Sequence, residues 1–284
     1  MTNGPPLIFD RAAYRARRAR AMRRTKGAPT FLAETTAASL CHRIGAVNRR
    51  FAAGLDLSAR PELRTARQGL AQSWTDAPAD EESLPFAPES FDLAVSVLSL
   101  HAANDLPGAL IQIRKALKPD GLFMAALFGG ATLTELRQSL TAAEAKIWGG
   151  AAARVSPFGD VRDLGGLLQR AGFALPVADV ERTMVRYGKL ATLFSDLRDL
   201  GETNVLSGRP RFLRRDVLAA MAQEYGARFS DSDGRIRATF DIVFLTGWAP
   251  HESQQKPLKP GSAKARLADA LGTKEIPAGE KPSR

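Results

Sequence analysis

The residues most able to do chemistry lie in two places along the chain, an acidic cluster and a hydroxyl–imidazole pair. Asp80 and Glu81 begin the run 80–86, Asp-Glu-Glu-Ser-Leu-Pro-Phe, whose carboxylates could accept hydrogen bonds from an exocyclic amine. Ser99 and His101 follow an apolar run and offer a hydroxyl and an imidazole. Each place also has a structural interpretation, a solvent-exposed turn for the acids and backbone hydrogen bonding at a strand end for His101. By themselves, the residues favour the structural interpretation.

Strands and helices that alternate along the chain would position these residues. The predicted strands are 53–57, 69–74, 91–98, 122–128, 174–181, 183–187 and 236–248. The predicted helices are 31–47, 106–117, 132–147, 163–171, 190–200 and 214–226. The nearly continuous apolar run 91–98 is typical of a parallel strand covered on both faces. The alternation predicts an α/β fold, with an open, mostly parallel sheet and helices on both faces.

Local signals refine this picture. Thr132 and Glu135 form a capping box that would open one helix, and the run 118–121 is expected to be the turn that ends another. Strand 236–248 follows two helices that look inserted, so we expect it to pair antiparallel at the sheet edge. Ligands of such sheets bind beyond the carboxyl ends of the strands, which is where the acids and His101 would lie.

The chain divides by composition into three parts. Residues 1–30 are predicted to form a basic helix, and residues 31–250 the main domain, with a helical insertion at about 188–230. Residues 251–284 are rich in Gln, Lys, Pro, Gly and Ser, so we expect a mostly disordered tail with one short helix near Ala265–Leu271.

The positive charge is concentrated at the N-terminus. Residues 1–50 contain eleven lysines and arginines against two acids, which leaves +9 of the net charge of +10. The predicted helix has a narrow apolar face formed by Phe9, Ala12, Ala13, Ala16 and Ala19. The basic face could dock onto an acidic protein or an anionic membrane surface, or it could be a solvated helix laid across the domain. Nucleic acid is an unfavoured partner, because no RNA-binding motif accompanies the charge.

Composition excludes several classes of protein. Hydrophobic residues make up 44% of the chain, which is enough for a full core and excludes a wholly disordered protein. No uncharged apolar stretch reaches about 18 residues, so no segment is predicted to span a bilayer. The single cysteine, Cys41, excludes a disulfide framework and fits a reducing compartment. The three histidines lie far apart, so we predict no metal site.

A series of short motifs runs in order from residue 7 to residue 262. The motifs are Ile8–Arg11, Ala46–Phe51, Leu84–Leu93, Leu98–His101, Asn104–Pro107, Leu117–Gly121, Phe128–Arg137, Ser156–Phe158, Gly201–Asn204, Thr246–Trp248 and His251–Gln254. Together they resemble the class I S-adenosylmethionine (SAM) dependent methyltransferases. Within that superfamily they resemble the branch of respiratory complex I assembly factors, which is related to the carrier-protein methyltransferase of biotin synthesis.

The resemblance implies a Rossmann-like fold that binds SAM. It implies that Asp56 holds the ribose, that Asp80 with Glu81 faces the adenine amine, and that Ser99 and His101 line the reaction space. For the assembly-factor branch it also implies hydroxylation of an arginine on an iron–sulfur subunit of complex I, rather than methyl transfer. The expected location is a bacterial cytoplasm, with the inner membrane surface as an alternative. No catalytic residue is assigned.

One part of the chain departs from the family pattern. The family follows its first strand with a glycine-rich loop, because backbone must approach the ligand closely there. Ser58 and Arg60 stand where glycines are expected, and only the eleven residues 58–68 precede the next predicted strand. In addition, Ala102 stands where the branch commonly has an aromatic residue.

Two alignments explain this departure. In one, Asp56 ends the first strand and a changed loop follows; in the other, which we favour, a deletion fuses the first strand to the end of the second. Both predict that about one strand–helix unit is missing. Three hypotheses follow: a SAM-binding enzyme that hydroxylates or methylates a protein side chain, a catalytically inactive binding factor for a complex I subunit, and an RNA methyltransferase suggested only by charge.

Overall fold

A computed structural model describes residues 7–77, 80–208, 212–255 and 267–274. The chain divides into two compact units, one that ends at Pro250 and one that begins at His251. The first unit contains one sheet of six strands in the order β2-β1-β3-β4-β6-β5. The strands are β1 Phe51–Asp56, β2 Ala71–Asp76, β3 Phe91–Val97, β4 Leu117–Phe128, β5 Ala174–Tyr187 and β6 Ile236–Trp248. The first four are parallel, and β6 pairs antiparallel with both β4 and β5.

Helices cover both faces of this sheet, as the alternating pattern predicts. The helices of the first unit are α1 Arg11–Thr25, α2 Phe31–Gly45, α3 Pro61–Ala66, α4 Leu106–Ala116, α5 Thr134–Trp148, α6 Val161–Arg170, α7 Leu190–Leu200 and α8 Arg215–Phe229. Buried residues of α2, α5, α7 and α8 share one core cluster, and those of α4 and α6 share the other. Strand β3 faces both, since Leu93 and Val95 belong to the first cluster and Ala94 belongs to the second.

The shortened connection after β1 is confirmed. Residues 57–70, with only the six-residue helix α3, join β1 to β2, and β1 pairs with β2 on one side and with β3 on the other. The sheet therefore has one strand where the family pattern has two. Both alignments predict this sheet. In the favoured alignment, the absent unit is the one that would carry the glycine-rich loop.

The predicted capping box is wrong, because both of its residues bond to the neighbouring strand instead. The Thr132 hydroxyl lies 3.1 Å from the carbonyl oxygen of Asp241. The Glu135 carboxylate accepts hydrogen bonds from the backbone N–H and the hydroxyl of Thr239. The residue before α5 is Leu133, whose φ is 55° and which makes no side-chain cap. A spacing that suits a local cap therefore serves tertiary contacts to β6.

Two further predictions about the strands need correction. Strand β6 is antiparallel as expected, but it lies between β4 and β5, and β5 is the edge strand. The two strand segments predicted within 174–187 form the single strand β5. The predicted turn at 118–121 is an irregular part of β4, where Asp120 has a φ of 62°.

Helix α1 buries a different face from the one its apolar residues predict. Its inward residues are Arg11, Tyr14, Arg18 and Ala21, spaced at three, four and three, whereas Ala16 is exposed. Phe9 is buried, but it precedes the helix and forms a β-bridge with Leu206. Two arginines therefore lie on the inner face of this helix.

The second unit is described only in part. Its described helix is α9, Leu267–Leu271, within the segment where a short helix is predicted. Most of the remaining predicted disorder at 251–284 falls outside the described residues. Within the parts of the chain that are described, no helix has the length and apolar character needed to span a bilayer.

Two adjacent glycines after β4 provide a test of the packing between β4 and β6. A Cβ on Gly129 would lie 2.7 Å from the Val243 side chain, whereas one on Gly130 would meet no atom closer than 3.9 Å. We expect Gly129→Ala to lower the free energy of unfolding by about 1–3 kcal/mol. Gly130→Ala should change it by less than about 0.5 kcal/mol. Urea unfolding of both variants measures this, and equal midpoints would contradict the packing.

Candidate functional site

The centre of the candidate site is a buried guanidinium beyond the carboxyl ends of β1 and β3. Arg60, in the loop after β1, donates from Nε to the carbonyl oxygen of Val97 at 3.1 Å and from Nη2 to that of Leu98 at 3.0 Å. Both Nη atoms lie 3.4 Å from the carbonyl oxygen of Leu200, and Nη2 lies 3.1 Å from Oε1 of Glu202. Arg60 thus joins the sheet to the end of α7, in the region where such folds bind ligands.

Asp56, the predicted ribose ligand, is fully buried and bonded within the chain. Its Oδ1 accepts from the N–H of Ser58 at 2.9 Å and from the Ser58 hydroxyl at 2.8 Å. Its Oδ2 pairs with Arg67, which also pairs with Asp76 at 2.8 Å and lies over the ring of Trp74. Burial raises the pKa of Asp56, although the Ser58 hydrogen bonds and the Arg67 charge oppose this. Both oxygens therefore have partners inside the protein.

The acidic cluster meets the basic helix α1. Buried Glu81 pairs with Arg11, and Asp80 lies 3.2 Å from Arg15. The Arg18 guanidinium is 2.5 Å from the carbonyl oxygen of Ser58 and 3.8 Å from Glu81. The cations of α1 that face inward thus neutralise the acids that were predicted to face an adenine. Arg20, Arg23 and Lys26 remain on the exposed face of the helix.

Ser99 and His101 are both buried, but they face different partners. The Ser99 hydroxyl lies 2.9 Å from that of Ser96. His101 Nε2 lies 3.0 Å from Oε2 of Glu202, and its Nδ1 has no hydrogen-bond partner among the described residues. A ring that donates from Nε2 keeps an acceptor lone pair at Nδ1. Tyr14 lies edge-on to His101, with ring centroids 6.3 Å apart.

Small Ala102 leaves room for an aromatic ring from another part of the chain. Tyr14 of α1 and Ala102 belong to one buried cluster, and the Tyr14 hydroxyl lies 3.4 Å from the carbonyl oxygen of Leu98. The N-terminal helix therefore contributes the ring that fills this part of the cleft.

Two cavities lie on either side of the Arg60–Glu202 pair. The first, of about 200 Å³, lies between α1 and the loop after β1 and is lined by Tyr14, Arg18, Ser58 and Glu62 among others. The second, of about 340 Å³, lies between α5, α7 and the end of β4. Its walls include Phe128, Phe158, Phe194, Phe240 and Glu202. Only the second reaches the range of about 300–1,000 Å³ that is usual for small-molecule pockets.

The residues described do not fit SAM in this arrangement. Arg60 and Tyr14 narrow the space beyond β1 and β3 to the cavity of about 200 Å³, and Asp56 and Glu81 are neutralised by arginines of the same chain. The assignment of these acids and of Asp80, Ser99 and His101 to cofactor binding stays a prediction. In the described part of the chain, no group of three His, Cys, Asp or Glu side chains is arranged to hold a metal ion.

Comparison with known proteins agrees with this fold. Residues 37–125 match a methyltransferase domain family. The YcgJ protein of Bacillus subtilis superposes with a TM-score of 0.52 at 14% identity, over 75% of this chain and 98% of that one. The chain has the class I methyltransferase fold.

The sequence relatives are more specific. The chain is 47% identical over 191 residues to a mitochondrial arginine-hydroxylase, NDUFAF5, of Danio rerio, over 67% of this chain and 60% of that protein. It is 37% identical over 179 residues to a malonyl-[acyl-carrier protein] O-methyltransferase of Halorhodospira halophila, over 63% and 59% respectively. The chain is a relative of the arginine hydroxylases. It spans about 60% of the length of these curated relatives, and the resemblance found in its motifs is confirmed.

Sequence reasoning missed Glu202 as a site residue. It lies 101 positions from His101 and 142 from Arg60, so no local spacing connects the three. The only available signal is the motif Gly201–Asn204, which marks the segment but gives the carboxylate no role. Arg60 was noticed as an obstacle to a ligand, whereas its partners were not predictable.

Two neighbouring arginines near α3 test the pairing of Asp56. Both contact Asp76, but the Arg67 side chain is 7% exposed and that of Arg64 is 59% exposed. Arg67→Met leaves Asp56 buried without its cation, so we expect the free energy of unfolding to fall by about 3 kcal/mol. Arg64→Met should lower it by less than about 1 kcal/mol. Chemical denaturation measures both, and equal losses would contradict the buried pair.

Glu202 makes stability depend on pH. Burial acts to raise its pKa, but His101, Arg60 and Arg18 outweigh this and lower it below the usual 4.5. The ionised carboxylate therefore stabilises the fold above about pH 4.5, and this contribution is lost as the pH falls through the folded pKa. Glu202→Gln should flatten the fall in unfolding free energy below pH 4.5, whereas Glu34→Gln, on the exposed face of α2, should leave it unchanged. If the unfolding free energy falls equally steeply below pH 4.5 in the wild type and in Glu202→Gln, this pH dependence does not come from Glu202.

Proposed function

We propose that this chain is a methyltransferase-fold protein of respiratory complex I assembly that acts on an arginine side chain of a protein partner. The observation that carries the proposal is the cavity of about 340 Å³ in which Glu202, paired with His101, lies among aromatic side chains. The partner we propose is an iron–sulfur subunit of complex I, and the compartment is a bacterial cytoplasm. The similarity to arginine hydroxylases supports this substrate.

The chemistry of the cavity suits a guanidinium. The rings of Phe128 and Phe158, with centroids 5.7 Å apart, form a wall over which a flat cation can stack. Each Glu202 oxygen has one partner, and a carboxylate oxygen can accept a second hydrogen bond. His101 contacts both rings from outside the cavity lining and so supports the wall that they form.

The lining of the cavity also indicates the sequence around the target arginine. Arg17 is half-buried and Arg198 is exposed, and both line the cavity. These cations would repel a strongly basic segment and attract acidic side chains. We therefore propose that the arginine enters from a partner segment in which acidic residues flank it.

Hydroxylation is the proposed reaction, by similarity to the relatives: one oxygen atom of dioxygen enters the arginine side chain, and an external two-electron reductant converts the other atom to water. SAM is the ligand that the fold implies, and its binding requires that α1 and Arg60 move out of the space that they narrow. Binding without turnover is the second candidate, favoured by the internal pairing of Asp56, Glu81 and Arg60. In both, recognition of the arginine takes place in the aromatic cavity.

Recognition is tested with a fluorescent peptide that carries one arginine between acidic residues. We expect Phe158→Ala to weaken binding at least about tenfold, or about 1.4 kcal/mol, because it removes the stacking wall. Phe31→Ala, which truncates a half-exposed ring outside the cavity lining, is the matched control and should bind as wild type does. Equal binding of a peptide with alanine in place of arginine would contradict the proposal.

The two candidates are separated by co-expression with the iron–sulfur subunit, followed by mass spectrometry of that subunit. One added oxygen on an arginine, lost in the Phe158→Ala variant, supports hydroxylation. A stable complex with an unmodified arginine supports binding without turnover. If no complex forms and no arginine is modified, the proposed function is refuted.

A further inference from the structure

Arg60 is held as a ligand would be held, by groups from several separate elements. Its acceptors come from the end of β3, the end of α7 and the loop that follows α7. A guanidinium has five N–H donors in one plane, and these acceptors use most of them. Its side chain is only 6% exposed, so these protein groups are its main hydrogen-bond partners.

The charges around Arg60 show why it needs Glu202. From α1, Arg18 and the Tyr14 hydroxyl face this region, and Glu62 approaches from α3. Arg18 repels Arg60, whereas Glu202 is the carboxylate that contacts it directly, at 3.1 Å. A buried cation without such a partner is strongly disfavoured.

Glu202 is in turn the partner of His101, so one carboxylate connects two functional groups. Oε1 faces Arg60 and Oε2 faces His101. Removal of the cation would leave Glu202 to His101 alone, and the carboxylate would be free to turn away from the cavity wall. The position of the Glu202–His101 pair therefore depends on Arg60.

We propose that Arg60 is a built-in replacement for a cationic cosubstrate. SAM carries its positive charge on a sulfonium group, and this chain instead places a covalently attached guanidinium beyond the ends of β1 and β3. Arg60 is a positioning residue: it holds Glu202, and through it His101, at the aromatic cavity without any bound cofactor. This role does not depend on which partner enters the cavity.

Nuclear magnetic resonance titration of the His101 ring tests the positioning role, with the signal assigned by its loss in His101→Gln. Arg60→Met removes a cation that competes with His101 for Glu202, so the midpoint measured for His101 should rise relative to that of the wild type. Arg60→Lys, which keeps the charge, should shift it less than half as far. Arg64→Met, which removes an exposed arginine nearby, is the control and should leave it unchanged. A midpoint in Arg60→Met equal to that in the control would overturn the role.

If Arg60→Met folds but is too unstable for the titration, the pairing is read from melting temperatures. The double variant Arg60→Met with Glu202→Gln removes both charges, so it should recover at least half of the melting temperature lost in Arg60→Met. If the melting temperature lost in the double variant equals the sum of the losses in the two single variants, the pairing is overturned.

Calorimetry of the wild type with S-adenosylhomocysteine tests the replacement itself. We expect no heat of binding up to about 1 mM, since Arg60 and Tyr14 leave a cavity of only about 200 Å³ there, whereas micromolar binding would overturn the proposal. None of these measurements uses a peptide, so failure here is distinguishable from failure of the proposed function.

Discussion

A buried guanidinium that must be paired is the constraint on which the rest of the site depends. Arg60 leaves the loop after β1 and reaches the carbonyl oxygens at the end of β3, where parallel strands present acceptors that no further strand residue satisfies. Because desolvation of a cation is costly, it also requires a carboxylate, and Glu202 supplies one from the end of α7. This pairing joins the end of α7 to the end of β3, and the other oxygen of Glu202 contacts His101.

The polar network around Arg60 follows from the short connection between β1 and β2. With one strand–helix unit absent, the carboxyl ends of β1 and β2 lie side by side, and Arg67 joins Asp56 to Asp76 across them. Helix α1 closes the same region with cations that pair with the acidic cluster. Groups that would face a nucleoside in a related protein are therefore neutralised by arginines of this chain, and much of the basic N-terminus serves an internal role.

The fold is retained while the ligand-binding part of it is changed. The parallel strands β1 to β4 and the antiparallel β6 keep the class I methyltransferase fold with one strand–helix unit fewer, and the aromatic cavity is built on β4, α5 and α7. Fold alone does not determine function. In this chain the cavity beside Arg60 is about 200 Å³ and the aromatic cavity is about 340 Å³. Both proposed functions use recognition of a partner side chain in the aromatic cavity.

The sequence by itself determined the elements: the buried strand at 91–98, the long strand at 236–248 and the helix from Phe31 follow from apolar periodicity. The missing unit after β1 follows from the resemblance to the family pattern. It also located the acids and His101 at strand ends. Tertiary structure alone decided their partners. Thr132 and Glu135 bond to β6 rather than to each other, and Glu202 joins His101 to Arg60. Periodicity reports burial, which is local, whereas the pairing of charges depends on distances set by segments more than a hundred residues apart.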